Sequence, residues 1–197
     1  MNIGVDIDGV LADYCKFIYR DCKKYLKKKC DRKQYFLRDA YDLSGVNEDK
    51  LWAELYPQYL SGAKVRMGAR WFLKRLKALG HTVTIVTARG GHTGKDQHVP
   101  REHEISETLN WLKKNKLVYD SFNSVTGSKL NFCKENNVDC LVDDAPMQVE
   151  SVGKELPVFA VAASYNKNVG GKYTKRKSGW LGILREIKKL GKAKNKS

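Results

Sequence analysis

Two short apolar runs in this chain each close on a pair of aspartates, and no other feature constrains the fold as strongly. Residues 3 to 8 (Ile-Gly-Val-Asp-Ile-Asp) alternate poorly between apolar and polar and stop at the turn-forming Asp8-Gly9. That is the signature of a short strand buried on both faces. Residues 140 to 144 (Cys-Leu-Val-Asp-Asp) repeat the arrangement far along the chain. Strands covered on both faces belong to parallel sheets, whose crossovers lay helices above and below them.

The remaining pattern agrees. Tyr14 to Lys29 predicts a helix carrying Phe17, Ile18, Tyr25 and Leu26 among lysines, and Glu48 to Leu60 a second carrying Trp52, Leu55, Tyr56 and Tyr59. An aromatic stretch with Tyr35, Phe36 and Tyr41 lies between them. Trp71, Phe72, Leu76 and Leu79 mark an amphipathic helix ending at Gly80, where glycine takes the left-handed cap conformation. His81 to Thr87 is a β-branched strand ended by Ala88-Arg89-Gly90-Gly91. There follow a helix with Ile105, Leu109, Trp111 and Leu112, an extended segment near Phe122 to Val125, a helix opening near Lys129, and strands at Cys140 to Asp143 and Val158 to Ala162. Alternation of this kind predicts an α/β fold, a three-layer Rossmann-like sandwich around a mainly parallel sheet with right-handed crossovers. The interval between the first strand and the helix after Gly68 is too long for a crossover. Residues 16–64 are therefore read as a small helical cap, and residues 1–15 and 65–197 as the core.

A chain of 197 residues suffices for one such domain with a small insertion. No apolar run reaches the ~20 residues of a bilayer span, and no basic region precedes an apolar stretch at the N-terminus. The expectation is a soluble, cytoplasmic protein without a membrane partner. Cys15, Cys22, Cys30, Cys133 and Cys140 form no C-x-x-C pair and no zinc spacing, which predicts reduced thiols, the first three sharing a buried helix face. Lysine and arginine outnumber aspartate and glutamate by 37 to 22, a net charge of +15 that favours phosphates and polyanions. The excess gathers in Lys23 to Lys33, Lys172 to Lys177 and Lys188 to Lys196, read as a solvated helix face, a loop and a tail.

Asp6 and Asp8 leave one face of the first strand if that strand persists, and their like charges repel. Such a pair is tolerated when a divalent cation neutralises it or when one member stays protonated. Ligands bind at the carboxyl edge of open parallel sheets, so Asp6, Asp8, Asp143 and Asp144 are expected to converge there. For a single pair, capping of a following helix would be the favoured reading. Two pairs, with Thr87 and Lys129 between them, favour a site.

In order, D-I-D-G-V-L-A-D (Asp6 to Asp13), V-T-A-R (Val86 to Arg89), the helix-opening Lys129 and V-D-D (Val142 to Asp144) resemble the four motifs of haloacid-dehalogenase-type phosphatases. The insertion after the first motif and the T-A-R form of the second resemble the 5'-nucleotidase and deoxyribonucleotidase branch. This resemblance implies a magnesium-dependent phosphate-monoester hydrolase. Asp6 would attack phosphorus to form an aspartyl-phosphate, and Asp8 would protonate the leaving alcohol and then activate water. Mg2+ would be held by Asp6, the backbone carbonyl of Asp8, Asp143 and, through water, Asp144. Thr87, Ala88, Arg89 and Lys129, preferred over Lys134, would bind the phosphate. The implied substrate is a small phosphate monoester, foremost a nucleoside monophosphate, with one or two of Tyr35, Phe36, Tyr41, Trp52, Tyr56 and Tyr59 stacking on its base. His92, His98 and His103 match no ligand spacing. Two other readings are a phosphatase of polynucleotide ends, its lysines tracking the backbone, and a noncatalytic nucleic-acid-binding protein on the same fold. Oligomeric state is left open.

Overall fold

Six strands form one sheet in the order β3-β2-β1-β4-β5-β6, every neighbouring pair parallel. They are β1 (Asn2–Val5), β2 (Thr82–Thr87), β3 (Ser121–Ser124), β4 (Cys140–Asp143), β5 (Val158–Val161) and β6 (Thr174–Lys177). The computed structural model describes residues 1–91 and 99–194, apart from the side chain of Val46. The α/β sandwich expected from the apolar strands is the observed architecture.

Side-chain alternation divides the interior into two layers. Ile3, Val5, Cys140, Val142, Phe159 and Val161 point into one apolar cluster, shared with Phe72, Leu73 and Leu76 of α5 (Ala69–Ala78) and Ile183 and Ile187 of α9 (Trp180–Lys194). Val86, Leu141, Val158 and Ala160 point into the other, against Cys133 of α7 (Lys129–Glu135) and Val149 and Val152 of α8 (Pro146–Val152). Gly4 faces this second layer because a side chain there would crowd Leu141 and Val138, both 3.0 Å from the added carbon.

Between β1 and α5 the chain forms α1 (Tyr14–Lys16), a π-helical stretch (Phe17–Cys22), α2 (Lys23–Leu26), α3 (Leu37–Tyr41) and α4 (Gly45–Gly62). Its two ends meet: the Asp13 N–H donates to the Lys64 carbonyl (2.8 Å), and the Arg66 N–H to that of Leu11 (2.8 Å). Ile18, Leu51, Tyr59 and Leu60 from this segment join the first apolar cluster. α6 (Arg101–Lys114) lies against α4, and the Trp111 indole N–H donates to the Ala63 carbonyl (2.7 Å).

Four expectations are corrected. β1 ends at Val5, so Asp6 and Asp8 do not share a persisting strand. Residues 174–177, read as part of a loop, form edge strand β6, whose Thr-Lys-Arg-Lys sequence has no apolar face to betray it. The lysine-rich tail is helical as far as Lys194, because Ile183 and Ile187, four apart, bury one face among the charges. Cys30 shares no helix with Cys15 and Cys22, since the helix stops where Lys27 turns left-handed (φ 54°). All five cysteines are free. Among the described residues no helix is long and apolar enough to cross a membrane.

Candidate active site

Strand register assembles the acidic cluster. β1 pairs with β4 so that Val5 lies beside Val142, and the Asp6 N–H extends the ladder to the Val142 carbonyl (3.0 Å). The next residues on the two strands, Asp6 and Asp143, are thus neighbours at the carboxyl edge. Asp6, Asp143 and Asp144 each offer an oxygen within 4.8 Å of the others, and all three are buried. Lys129, first residue of α7 behind the Ser128 cap, sends its ammonium between two of them, 2.7 Å from Asp6 Oδ1 and 2.7 Å from Asp143 Oδ2. Lys134, a turn further on, points outward and pairs with Glu155.

Crowding of charge away from water perturbs these groups. Burial, with Asp143 and Asp8 adding to it and Lys129 opposing, raises the Asp6 carboxyl to about 7. Burial, Asp143 and Asp6 push Asp144 well above the carboxylate range. Lys129 is held more firmly protonated than a free lysine: burial opposes its charge, but the attraction of Asp143 and Asp6 outweighs it. The Tyr165 hydroxyl donates to Asp144 Oδ2, and Asn166 donates to the Asp144 carbonyl (2.8 Å). Asp144 Oδ1 is buried without a hydrogen-bond partner. Gly9 (φ 77°) is confined to glycine twice over, since an added Cβ would run into the Asp144 carboxylate. Three converging carboxylates, one with an unpaired buried oxygen, form a donor set that suits a hard divalent cation such as Mg2+.

Asp8 belongs to an adjoining network. After β1 the chain turns tightly, the N–H groups of Leu11 and Ala12 both reaching the Ile7 carbonyl (2.8 and 2.7 Å). The Asp8 carboxylate is thereby presented to Arg89, whose Nε donates to Oδ2 (2.9 Å) and Nη2 to Oδ1 (2.6 Å). The Tyr59 hydroxyl of α4 donates to the same Oδ1 (2.5 Å). Arg89 is fully buried, its guanidinium carbon 5.2 Å from the Tyr59 ring centre and 5.4 Å from that of Trp111. Burial alone would raise the Asp8 pKa, but the charge and hydrogen bonds of Arg89, helped by Tyr59, lower it. Beside this pair Tyr56 donates to Glu104 of α6.

Thr87 is buried at the end of β2, where its hydroxyl oxygen accepts from the Arg89 N–H (3.2 Å). Ala88 is exposed just beyond, and Gly90 turns the chain at φ 72°. Of the aromatics between residues 35 and 59, Tyr41, Tyr56 and Tyr59 are buried, whereas Phe36 is half exposed against the edge of Tyr35 (5.2 Å between centres). His103 lies on the exposed side of α6, and His92 and His98 fall outside the described residues. Sequence reasoning missed Tyr165 and Asn166. Their position just after β5, at the edge where β1 and β4 also end, was the available signal.

No protein-family model matches the sequence, and no curated protein matches it. Likeness of structure is broad. A haloacid dehalogenase-like protein of unknown function from Agrobacterium tumefaciens aligns over 96% of this chain and 98% of its own, at TM-score 0.67 and 14% identity. A HAD family hydrolase from Deinococcus radiodurans, with bound phosphate and sodium, aligns over 96% of both chains at TM-score 0.60 and 11% identity. A predicted phosphatase from Clostridium acetobutylicum aligns over 94% of this chain and 96% of its own, at TM-score 0.57 and 18% identity. With sheet order, carboxyl-edge cluster and these neighbours in agreement, the chain carries the haloacid-dehalogenase-like fold.

Proposed function

We propose that the chain is a phosphate-monoester hydrolase working through an aspartyl-phosphate on Asp6. The observation that carries this reading is the buried cluster of Asp6, Asp143 and Asp144 at the sheet's carboxyl edge, bridged by the Lys129 ammonium. An Asp6 oxygen forms a bond to phosphorus as the bond from phosphorus to the ester oxygen breaks, and Asp8 delivers a proton to that oxygen. Asp8 then takes a proton from the water that attacks the acyl phosphate, releasing inorganic phosphate and restoring Asp6. The Arg89 and Tyr59 contacts favour the proton-accepting form of Asp8, which suits the second half, and the arriving negative charge of the phosphate opposes that shift for the first. Lys129 offsets charge on the transferring oxygens, and Thr87 supplies a hydroxyl beside them. Asp6, Asp143 and Asp144 would hold Mg2+, which would supply the positive charge that lets a phosphate approach a carboxylate.

Residues 16–64 act as a cap in this reading, with residues 1–15 and 65–197 as the catalytic core. A cavity of about 210 Å³ beside Tyr59 is lined by Asp13 and otherwise by residues of segment 16–64, among them Lys16, Arg20, Gln58 and Lys64. The preferred substrate is a nucleoside monophosphate, supported by the T-A-R motif, the half-exposed Phe36 and the net charge of +15. Five free cysteines suit a reducing cytoplasm.

The test is phosphate release from nucleotides, sugar phosphates and a phosphorylated oligonucleotide, with and without chelator. Nucleotides should react fastest, and chelator should stop the reaction. Faster turnover of sugar phosphates would overturn the substrate, salt-sensitive preference for the oligonucleotide would favour polynucleotide ends, and no release from any ester would overturn the hydrolase.

A further inference from the structure

We infer that Arg89 and Tyr59 are positioning residues that clamp Asp8 from two sides, and that Arg89 is not a ligand of the substrate phosphate. The inference rests on the hydrolase reading. Arginine recognises a phosphate by turning two parallel N–H donors of its planar fork toward the oxygens. In Arg89 that fork is already spent: Nε and Nη2 reach the two oxygens of Asp8, 2.9 and 2.6 Å away. Only Nη1 is left, buried and without a partner. The plane cannot readily swing to another target, because the side chain is wholly enclosed and lies between the Tyr59 and Trp111 rings. Trp111 is fixed in turn by its hydrogen bond to Ala63 (2.7 Å).

Tyr59 closes the clamp from the opposite element. Its hydroxyl donates to Asp8 Oδ1, the oxygen that also receives Nη2. Its ring stacks on Phe17 (4.4 Å between centres), which ties its position to the packing of residues 14–64. Three donors on two oxygens fix both the side-chain rotation and the plane of Asp8. A proton donor and acceptor acts efficiently only when held within hydrogen-bond reach of the reacting oxygen. The clamp therefore serves the proton-transfer steps, while the phosphate is left to Lys129 and its neighbours.

Steady-state kinetics of Tyr59→Phe and Arg89→Lys, each with an aryl and an alkyl phosphate and with inorganic phosphate as competitive inhibitor, separates the roles. Tyr59→Phe removes one oxygen and keeps the ring; Arg89→Lys keeps a cation but not the fork. Both should lower kcat, by about tenfold for Tyr59→Phe and about a hundredfold for Arg89→Lys on the alkyl ester, within the range that general acid–base catalysis spans. The aryl ester, whose leaving group needs less protonation, should lose less in kcat/KM, which covers only the steps up to release of the leaving group. KM and the inhibition constant of phosphate should stay within about twofold of wild type, as for an interaction that matters only in the transition state. An inhibition constant raised tenfold or more by Arg89→Lys, or equal losses of kcat/KM on the two esters, would overturn the clamp while leaving the hydrolase intact. Tyr59→Phe decides the question by itself if Arg89→Lys does not fold. Wild-type protein inactive on both esters would overturn the hydrolase reading and this inference with it.

Discussion

Replacing Lys129 with methionine removes a charge and keeps most of a side chain, so its effect measures how much the acidic cluster depends on one ammonium. The lysine side chain is 3% exposed, and those of its partners Asp6 and Asp143 are 8% and 0% exposed, each 2.7 Å away. Solvent screens these pairs little. Taking one partner from a buried ion pair leaves uncompensated charge and costs about 3–5 kcal/mol. For a domain of this size each kcal/mol moves the midpoint by about 2–4 °C, so Lys129→Met should melt about 6–20 °C below wild type in chelator. A divalent cation that binds only the folded chain adds about 2.7 kcal/mol at a hundred times its Kd. It also supplies the missing positive charge, so Mg2+ should narrow the gap between the two proteins. Calorimetry or dichroism melts at pH 8, with chelator and with Mg2+, provide the assay. A variant melting within about 2 °C of wild type in chelator, or a gap unchanged by Mg2+, would refute the claim that Lys129 and a metal share the neutralisation of this cluster.

Gly9→Ala should cost about 1–2 kcal/mol from its left-handed backbone alone, and, by displacing the Asp144 carboxylate, should also shrink the stabilisation Mg2+ gives in the same melts. Tyr165→Phe releases Asp144 Oδ2 from its donor, and should weaken Mg2+ binding by about 10–100-fold, read by titration calorimetry. Glu186, held near 2 by hydrogen bonds from Lys175, Lys177 and Lys189, has a folded pKa below its ordinary 4.5. Its contribution is therefore complete above pH 4.5 and is lost as pH falls toward 2. Glu186→Gln should destabilise the protein at pH 7 and make little difference at pH 2, as chemical denaturation at the two pH values will show.

How much of this was legible in the sequence depends on the range over which each feature is encoded. β1, β4 and β5 are legible because burial on both faces demands unbroken apolar runs, and parallel topology then brings the ends of β1 and β4 to one edge. Lys129 is legible as the first residue of a helix behind a glycine-serine loop. β6 is hidden because an edge strand of threonine, lysine and arginine needs no apolar face, and α9 because its buried isoleucines are outnumbered by lysines. The pairing of Asp8 with Arg89 depends on the sharp turn after β1 and on contacts spanning 81 residues, which no local pattern records. Tyr59 stood among six aromatics of which one or two were expected to stack on a base, since composition gives an aromatic ring no direction. Its hydroxyl is 51 residues from the carboxylate it meets.

The central claim, that Asp6 becomes covalently phosphorylated, is tested most directly by mass mapping of protein quenched in acid during turnover of a phosphate monoester with Mg2+. The account predicts one phosphoryl group on the peptide containing Asp6, lost on treatment with hydroxylamine and absent from Asp6→Asn. Turnover with no label on Asp6, or turnover surviving in Asp6→Asn, would contradict it.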